Sequence, residues 1–402
     1  MAKPEIRLKG FKGEWKEKPL LDVVTLYNGL TYSPSDIRDR GTLVLRSSNV
    51  QDGEISLLDN VYVKNEVATS PNVKVGDIIV VVRNGSRALI GKHAQIKEIM
   101  PNTVIGAFMA GMHTEEPEFM NALLSTSLFD NEVYKNLGAT INQITNGTFR
   151  SMTFKFPSKE EQQVLGSYFL NLDSLLQSTT KKIASLKQMK QACLVSMFPQ
   201  AGETIPRVRF KGFEGEWDYL PMSDIFMERH DISTITESLP QLSFTIEEGV
   251  IRPEDRKTNK RDFLIKDKSN KKYLVTRLDD IIYNPANVIY GAIHKNSLCD
   301  GVVSPIYKIF YTQQDPSFME CVVRRPEFIQ EMTIYMEGTV QKLRTLKPEA
   351  FLRMSAYIAP SLEEQKKIGN YFRTLDKQIS LQEQRLEKLK QIKAACLDKM
   401  FV

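Results

Sequence analysis

The sequence predicts an α/β (α+β) protein in which two mixed α/β domains alternate with two long helices, and three observations predict it. First, the chain is written twice: PEIRLKGFKGEW (Pro4–Trp15) returns as PRVRFKGFEGEW (Pro206–Trp217) with eight of twelve positions identical. Second, the segment Pro157–Phe198 recurs as Pro360–Phe401 with nineteen of 42 positions identical. Third, the stretches between these repeats, roughly 25–156 and 226–359, differ in sequence but share a β-rich character. A duplicated frame around unlike contents is the signature of one job done at two targets. The expected parts are a domain over 1–156, a helix over 157–199, a domain over 200–359 and a helix over 360–402.

Each helix is justified by its apolar stripe. Leu165, Tyr168, Leu172, Leu176, Ile183, Leu186, Met189, Cys193 and Met197 step by threes and fours with a polar gap between Leu176 and Ile183. Ile368, Tyr371, Leu375, Ile379, Leu386, Leu389, Ile392, Cys396 and Met400 repeat the spacing. That period marks one face of a helix. A helix of about 40 residues spans about 60 Å, longer than a small domain is wide. Neither stripe can be buried alone, so the two are expected to pack as a coiled coil through Leu172, Leu176, Ile183 and Leu186 against Leu375, Ile379, Leu386 and Leu389. Ser158 and Ser361 stand at the helix starts ahead of acidic first turns, suiting an N-cap, while Pro199 and Gly202 end the first helix.

Inside the domains, Val75–Arg83, Asp279–Asn284 and Val302–Tyr311 are β-branched and aromatic runs bounded by turn residues, and read as strands. Pro117–Phe129 and Ser317–Met332 read as shorter helices. After the first strand comes RNGSRALIGKH, which offers Arg83, Asn84, Ser86, Arg87, Lys92 and His93 on a loop. The second half has Asn284, Asn287, Tyr290, His294 and Lys295 in its counterpart. A glycine-led loop precedes each long helix: Gly138–Arg150, with Asn142, Gln143 and Asn146, and Gly338–Phe351, with Gln341, Lys342 and Arg344. Arginine can grip guanine O6 and N7, and asparagine adenine N6 and N7, so these loops suit DNA grooves and phosphates.

Composition narrows the classes. The net charge is +5, yet Arg252–Arg277 holds ten Lys/Arg against four Asp/Glu, which suits an anionic partner. The phosphate loop GxxxxGK[ST] is absent, and the four histidines and four cysteines are scattered without metal-ligand spacing. NPAN at Asn284–Asn287 lacks the second proline and aromatic of an adenine methyltransferase motif. No catalytic residue, metal or cofactor is therefore expected. Cysteine usage points to a reduced compartment, and no stretch approaches the roughly 20 apolar residues of a membrane span. A signal peptide is likewise not expected, which leaves the bacterial cytoplasm as the expected location.

The repeated segments resemble the DNA-specificity (S) subunit of Type I restriction-modification systems. The residues that carry the resemblance are Arg7–Trp15 and Arg209–Trp217, the GDI of Gly76–Ile78, the VVSPIY of Val302–Tyr307, and the two PSxEEQ helix starts. The second half departs with DDI at Asp279–Ile281 and GTVQKL in place of GATINQ. The resemblance implies that the two domains are target-recognition domains reading one half each of an asymmetric bipartite site. It also implies that the helices pack antiparallel, set the spacing of the readers and bind methyltransferase (M) subunits, two in number, with restriction (R) subunits completing the complex. A pseudo-twofold pair of readers fits half-sites about 34–36 Å apart. The rival expectations are a self-sufficient DNA methyltransferase or nuclease, and an assembly scaffold that reads no sequence.

Overall fold

A computed structural model describes residues 3–137, 142–256, 271–337 and 344–402. The chain divides into two compact units, Met1–Lys181 with Gln384–Val402, and Lys182–Glu383. The division runs through both long helices, so unit 1 is completed by Gln384–Val402 from far along the chain, while unit 2 is one continuous stretch.

Unit 1 contains the strands β1 (Lys16–Pro19), β2 (Thr25–Asn28), β3 (Ile37–Arg38), β4 (Thr42–Leu45), β5 (Val50–Gln51), β6 (Glu54–Ile55), β7 (Val61–Val63), β8 (Ile78–Val81), β9 (His93–Gln95), β10 (Thr103–Ile105), β11 (Met109–His113) and β12 (Thr153–Phe156). Its helices are α1 (Pro117–Leu124), α2 (Ser127–Asn136), α3 (Asn146–Ser151) and the first part of α4 (Lys159–Ser196). An antiparallel sheet runs in the order β2-β11-β8-β9, and a second runs β10-β4-β7-β3 with β10 and β4 parallel. The four residues of β8 are all buried, as expected of a central strand. β1 pairs antiparallel with β12, tying the start of the domain to the lead-in of α4.

Unit 2 contains β13 (Asp218–Pro221), β14 (Phe226–Glu228), β15 (Ile232–Ser233), β16 (Ser243–Thr245), β17 (Gly249–Ile251), β18 (Tyr273–Thr276), β19 (Ile281–Tyr283), β20 (Ile293–Lys295), β21 (Gly301–Val303), β22 (Lys308–Thr312) and β23 (Ser355–Ile358). With them go α5 (Pro316–Val323), α6 (Pro326–Tyr335), α7 (Pro348–Leu352) and the first part of α8 (Leu362–Lys399). The order β14-β22-β19-β20 repeats that of β2-β11-β8-β9. The pair β13 and β23 likewise repeats β1 and β12.

Three elements read from sequence as continuous are broken. Val302–Tyr311 is two strands separated by a turn in which Tyr307 N–H donates to Ser304 O, with Pro305 inside it. Pro117–Phe129 divides into α1 and α2 at Ser125, where Thr126 is extended and its hydroxyl donates to Leu123 O. Ser317–Met332 divides at Arg324 because Pro326 cannot continue a helix but starts one well.

The helical stripes pack inside each unit. In unit 1, Tyr168 Oη lies 3.3 Å from Cys396 Sγ, and Asp173 pairs with Lys393. In unit 2, Cys193 Sγ lies 3.3 Å from Tyr371 Oη, and Lys190 Nζ lies 2.5 Å from Asp376. Within each unit the numbering rises on one segment as it falls on the other, so the segments are antiparallel. Leu172, Ile183, Leu186, Leu375 and Ile379 are buried, and Leu176, Leu386 and Leu389 half-buried. Met189 and Ile392, placed in the stripe by their spacing, lie exposed on its rim. Phe169 and Phe372 take their place as buried anchors, each one position after a stripe tyrosine. The face that contacts both the partner segment and the domain is wider than a single seam.

A glycine in each helix permits close approach to the domain. A Cβ on Gly166 would stand 2.7 Å from Phe119 N, and one on Gly369 would stand 2.8 Å from Phe318 N. Each helix therefore lies directly on the first turn of α1 or α5. The repeated tryptophans close the same layer, Trp15 against Phe401 and Phe119, and Trp217 against Phe198 and Phe318.

Candidate nucleic-acid interface

In unit 1 the loop that follows β8 is zipped to two others by backbone bonds. Val82 and Arg83 N–H both donate to Phe108 O, at 2.9 and 3.2 Å, and Ile144 N–H donates to Val82 O at 2.8 Å. Arg83 also forms a β-bridge with Gln143. Asn142 Nδ2 donates to Gly85 O at 3.2 Å, while Asn84 accepts from Ser86 N–H at 3.0 Å and donates to Ser47 Oγ at 3.1 Å. Asn146, at the start of α3, lies within 3.4 Å of Asn28 at the end of β2. The result is one polar cluster in which Arg83, Asn84, Ser86, Asn142 and Gln143 share a surface.

Arg87 and Lys92 are exposed farther along the same loop, with Arg87 donating to Leu137 O at 3.4 Å. His93 leaves the loop for β9, where its ring meets Gly91 O and Ser125 Oγ, and burial lowers its pKa. Sequence reasoning missed Asn28, Ser47 and Phe108. The neighbouring strand ends that deliver them are distant in sequence, and only the SerSer pair after β4 hinted at a polar loop.

A buried carboxylate supports each loop from below. Asp77, at the start of β8, accepts from Tyr27 Oη at 2.8 Å and Lys74 N–H at 2.9 Å, and His113 Nδ1 lies 3.0 Å away. Burial, then the bond to Asp77, raises the Tyr27 pKa, so this hydroxyl stays protonated. In unit 2 the equivalent Asp280 is gripped by Arg229 Nε and Nη2 at 2.8 and 2.9 Å and by Arg277 N–H at 2.7 Å. The bond to Asp280 is the main reason the Arg229 pKa is raised.

The departure of DDI from GDI is local. Gly76 has φ +92°, and Asp279 occupies the same left-handed region at φ +71°. Aspartate is among the few side chains that tolerate that region. Here its carboxylate also holds Lys295 Nζ at 2.6 Å.

Unit 2 brings its loops together on the same plan. Leu346 N–H donates to Pro285 O at 3.0 Å, matching Ile144 and Val82. Asn284 accepts from Ala286 N–H at 3.0 Å, Asn287 is half-buried beside it, and Tyr290 is 68% exposed. Arg344 donates through Nη2 to Thr333 O and Met336 O at 3.0 and 2.9 Å, holding the end of α6. Gln341 and Lys342 lie outside the described residues.

His294 and Lys295 correct the sequence expectation. They are buried in β20, where pairing of Ile281 with Lys295 and of Ile78 with Gln95 makes them the counterparts of Ala94 and Gln95. His294 is engaged by Ile246 O at 2.7 Å and Arg324 Nη1 at 2.9 Å. Neither side chain is therefore offered on the loop. Adjacent strand side chains point to opposite faces, and both are buried here because all three residues of β20 are covered.

Among the described residues no group of three His, Cys, Asp or Glu side chains could hold a metal ion, and no helix is long and apolar enough to cross a membrane. The four cysteines are free thiols. A cleft of about 810 Å³ in unit 1 is lined by Arg7, Lys12, Lys18, His113 and Lys159 among others, and by none of the loop cluster.

Comparison with known proteins agrees with this construction. Residues 12–188 match the family model of the Type I restriction modification DNA specificity domain. Two curated specificity subunits are 28% identical over 196 residues, that of Type I restriction enzyme StySPI from Salmonella potsdam and that of EcoKI from Escherichia coli. The matched stretch is 46% of this chain but 41% of each relative, so less than half of either relative's length is represented. The crystal structure of a Type I restriction-modification S subunit from M. genitalium shares the fold, with a TM-score of 0.64 over 100% of this chain and 99% of that one at 13% identity. The first half of the chain thus matches the Type I restriction modification DNA specificity domain, and the second half repeats the frame of the first.

Proposed function

We propose that this chain is the non-catalytic DNA-recognition subunit of a Type I restriction-modification complex in the bacterial cytoplasm. Its two domains, 1–156 and 200–359, read the unlike halves of a bipartite double-stranded site, and the helices 157–199 and 360–402 carry M subunits and, through the complex, R subunits. The observation that carries this reading is the repetition of one loop arrangement, zipped after β8 and again after β19, with unlike side chains in the two copies.

The proposed contacts in the first domain are Arg83, Asn84, Ser86, Arg87, Lys92, Asn142, Gln143 and Asn146. In the second they are Asn284, Asn287 and Tyr290, with Arg344 anchoring its loop. Phosphates supply most of the affinity, which falls with salt, and each bidentate base contact contributes discrimination of about 1–3 kcal/mol.

The helices act as an antiparallel coiled coil with pseudo-twofold character. This is supported by the exchange of partners between repeats: Tyr168 meets Cys396 and Tyr371 meets Cys193, while Asp173 meets Lys393 and Asp376 meets Lys190. Each contact joins one copy's residue to the other copy's counterpart, as an isologous pairing requires.

The test is to reconstitute the chain with its methyltransferase subunits and map methylated adenines in host DNA. A split, asymmetric motif with a fixed gap is the expected result. Methyl transfer by the chain alone, or methylation without a motif, refutes the reading.

A further inference from the structure

We infer that Arg83 and Phe108 form a guanine-reading element that belongs to unit 1 alone. The inference rests on the DNA-reading function proposed above and names one position within it.

The Arg83 guanidinium lies 5.1 Å from the centre of the Phe108 ring, at the tip of the turn between β10 and β11. Phe108 is 53% exposed, so the pair stands at the surface, open to a partner. The backbones of the pair are fixed to each other, because Val82 and Arg83 N–H share the Phe108 carbonyl. Among the described residues no carboxylate pairs with Arg83 and no protein acceptor takes its guanidinium protons. A guanidinium packed by its face keeps its N–H edge free, and that edge is the fork that fits guanine O6 and N7. Stacking on a ring held by the backbone removes rotamer freedom before DNA arrives, which favours a selective contact over a loose phosphate contact.

The counterpart in unit 2 cannot do this. Val80 pairs with Ala110 and Tyr283 with Lys308, so Arg83 corresponds to Ala286 and Phe108 to Ile306. Ile306 is 60% exposed at its turn, but no arginine lies at the matching place. The element therefore specifies a guanine in the half-site read by the first domain only, with Phe108 as its positioning residue.

The experiment uses the full chain with its methyltransferase subunits and a random duplex library, sequenced after selection. The wild type should enrich a bipartite motif with a strongly preferred guanine in one half. Arg83→Ala and Phe108→Ala should each reduce that preference about tenfold at the same position and leave the other half-site unchanged. Phe108→Leu, which keeps an apolar tip without the ring face, should behave like Phe108→Ala and guards against a folding defect, checked by thermal melting. Selection of the wild-type motif by all three variants overturns the inference, as does a loss spread evenly over both half-sites. A wild type that selects no motif instead overturns the DNA-reading proposal, and the inference falls with it.

Discussion

Arg209 grips Glu364 with two prongs, Nε to Oε1 at 2.6 Å and Nη2 to Oε2 at 2.8 Å, and its third arm donates to Gly215 O at 2.5 Å. Arg7 makes the same three bonds to Glu161 and Gly13, at 2.8, 2.7 and 2.6 Å. The two repeated segments thus lock to each other, the arginine of RxKGFxGEW to the second glutamate of PSxEEQ.

Removing the arginine strands a buried carboxylate. Arg209→Ala should lower the stability of unit 2 by about 3–5 kcal/mol, because the Glu364 side chain has no exposure to solvent. Replacing both partners, Arg209→Met with Glu364→Leu, should recover most of the loss. Urea unfolding of the two variants and the wild type reads the difference.

Asp279→Gly should relieve about 1 kcal/mol of left-handed backbone strain. It also leaves the Lys295 ammonium, whose side chain is 7% exposed, without its partner. The second effect is the larger, so the single variant should be less stable by about 1–3 kcal/mol, and adding Lys295→Met should reverse the sign. A thermal melt of the two variants checks it.

Unit 1 should weaken in mild acid. Burial lowers the pKa of His93 below its ordinary value of about 6.5, so the unfolded chain takes up this proton first. Stability is full above pH ~6.5 and falls as pH drops from there toward the folded value. His93→Gln should flatten that slope in denaturant titrations between pH ~7 and ~5.

A half-chain, residues 1–201, should pair with itself. Its Tyr168 would meet Cys193 of the second copy and its Asp173 would meet Lys190, the counterparts of Cys396 and Lys393. Sedimentation should show a dimer, Lys190→Glu should weaken it, and Asp173→Lys added to Lys190→Glu should restore it. The dimer should favour a palindromic target, since both of its readers are alike.

Inserting a whole number of helical turns between Leu176 and Ile183, with the matching insertion in the second helix, should change the tolerated spacer and leave each half-site alone. Motif selection before and after insertion gives the answer. An unaltered gap removes the ruler.

The sequence by itself determined the repeat, the two long helices and the strand cores, because all of these are written in local periodicity and in matched segments. Tyr168, Cys193, Tyr371 and Cys396 could be named as stripe residues without knowing which would meet. Only the tertiary structure decided that Tyr168 meets Cys396 and Tyr371 meets Cys193, and that unit 1 is completed by the last segment of α8. It alone decided that His294 and Lys295 are buried, since they fall in β20, a strand covered on both faces. It also decided that Phe108, 25 residues beyond Arg83, lies under its guanidinium. Contacts of that kind come from the pairing of β8 with β11 across the sheet, a long-range choice set by burial of the whole core and not by any local pattern.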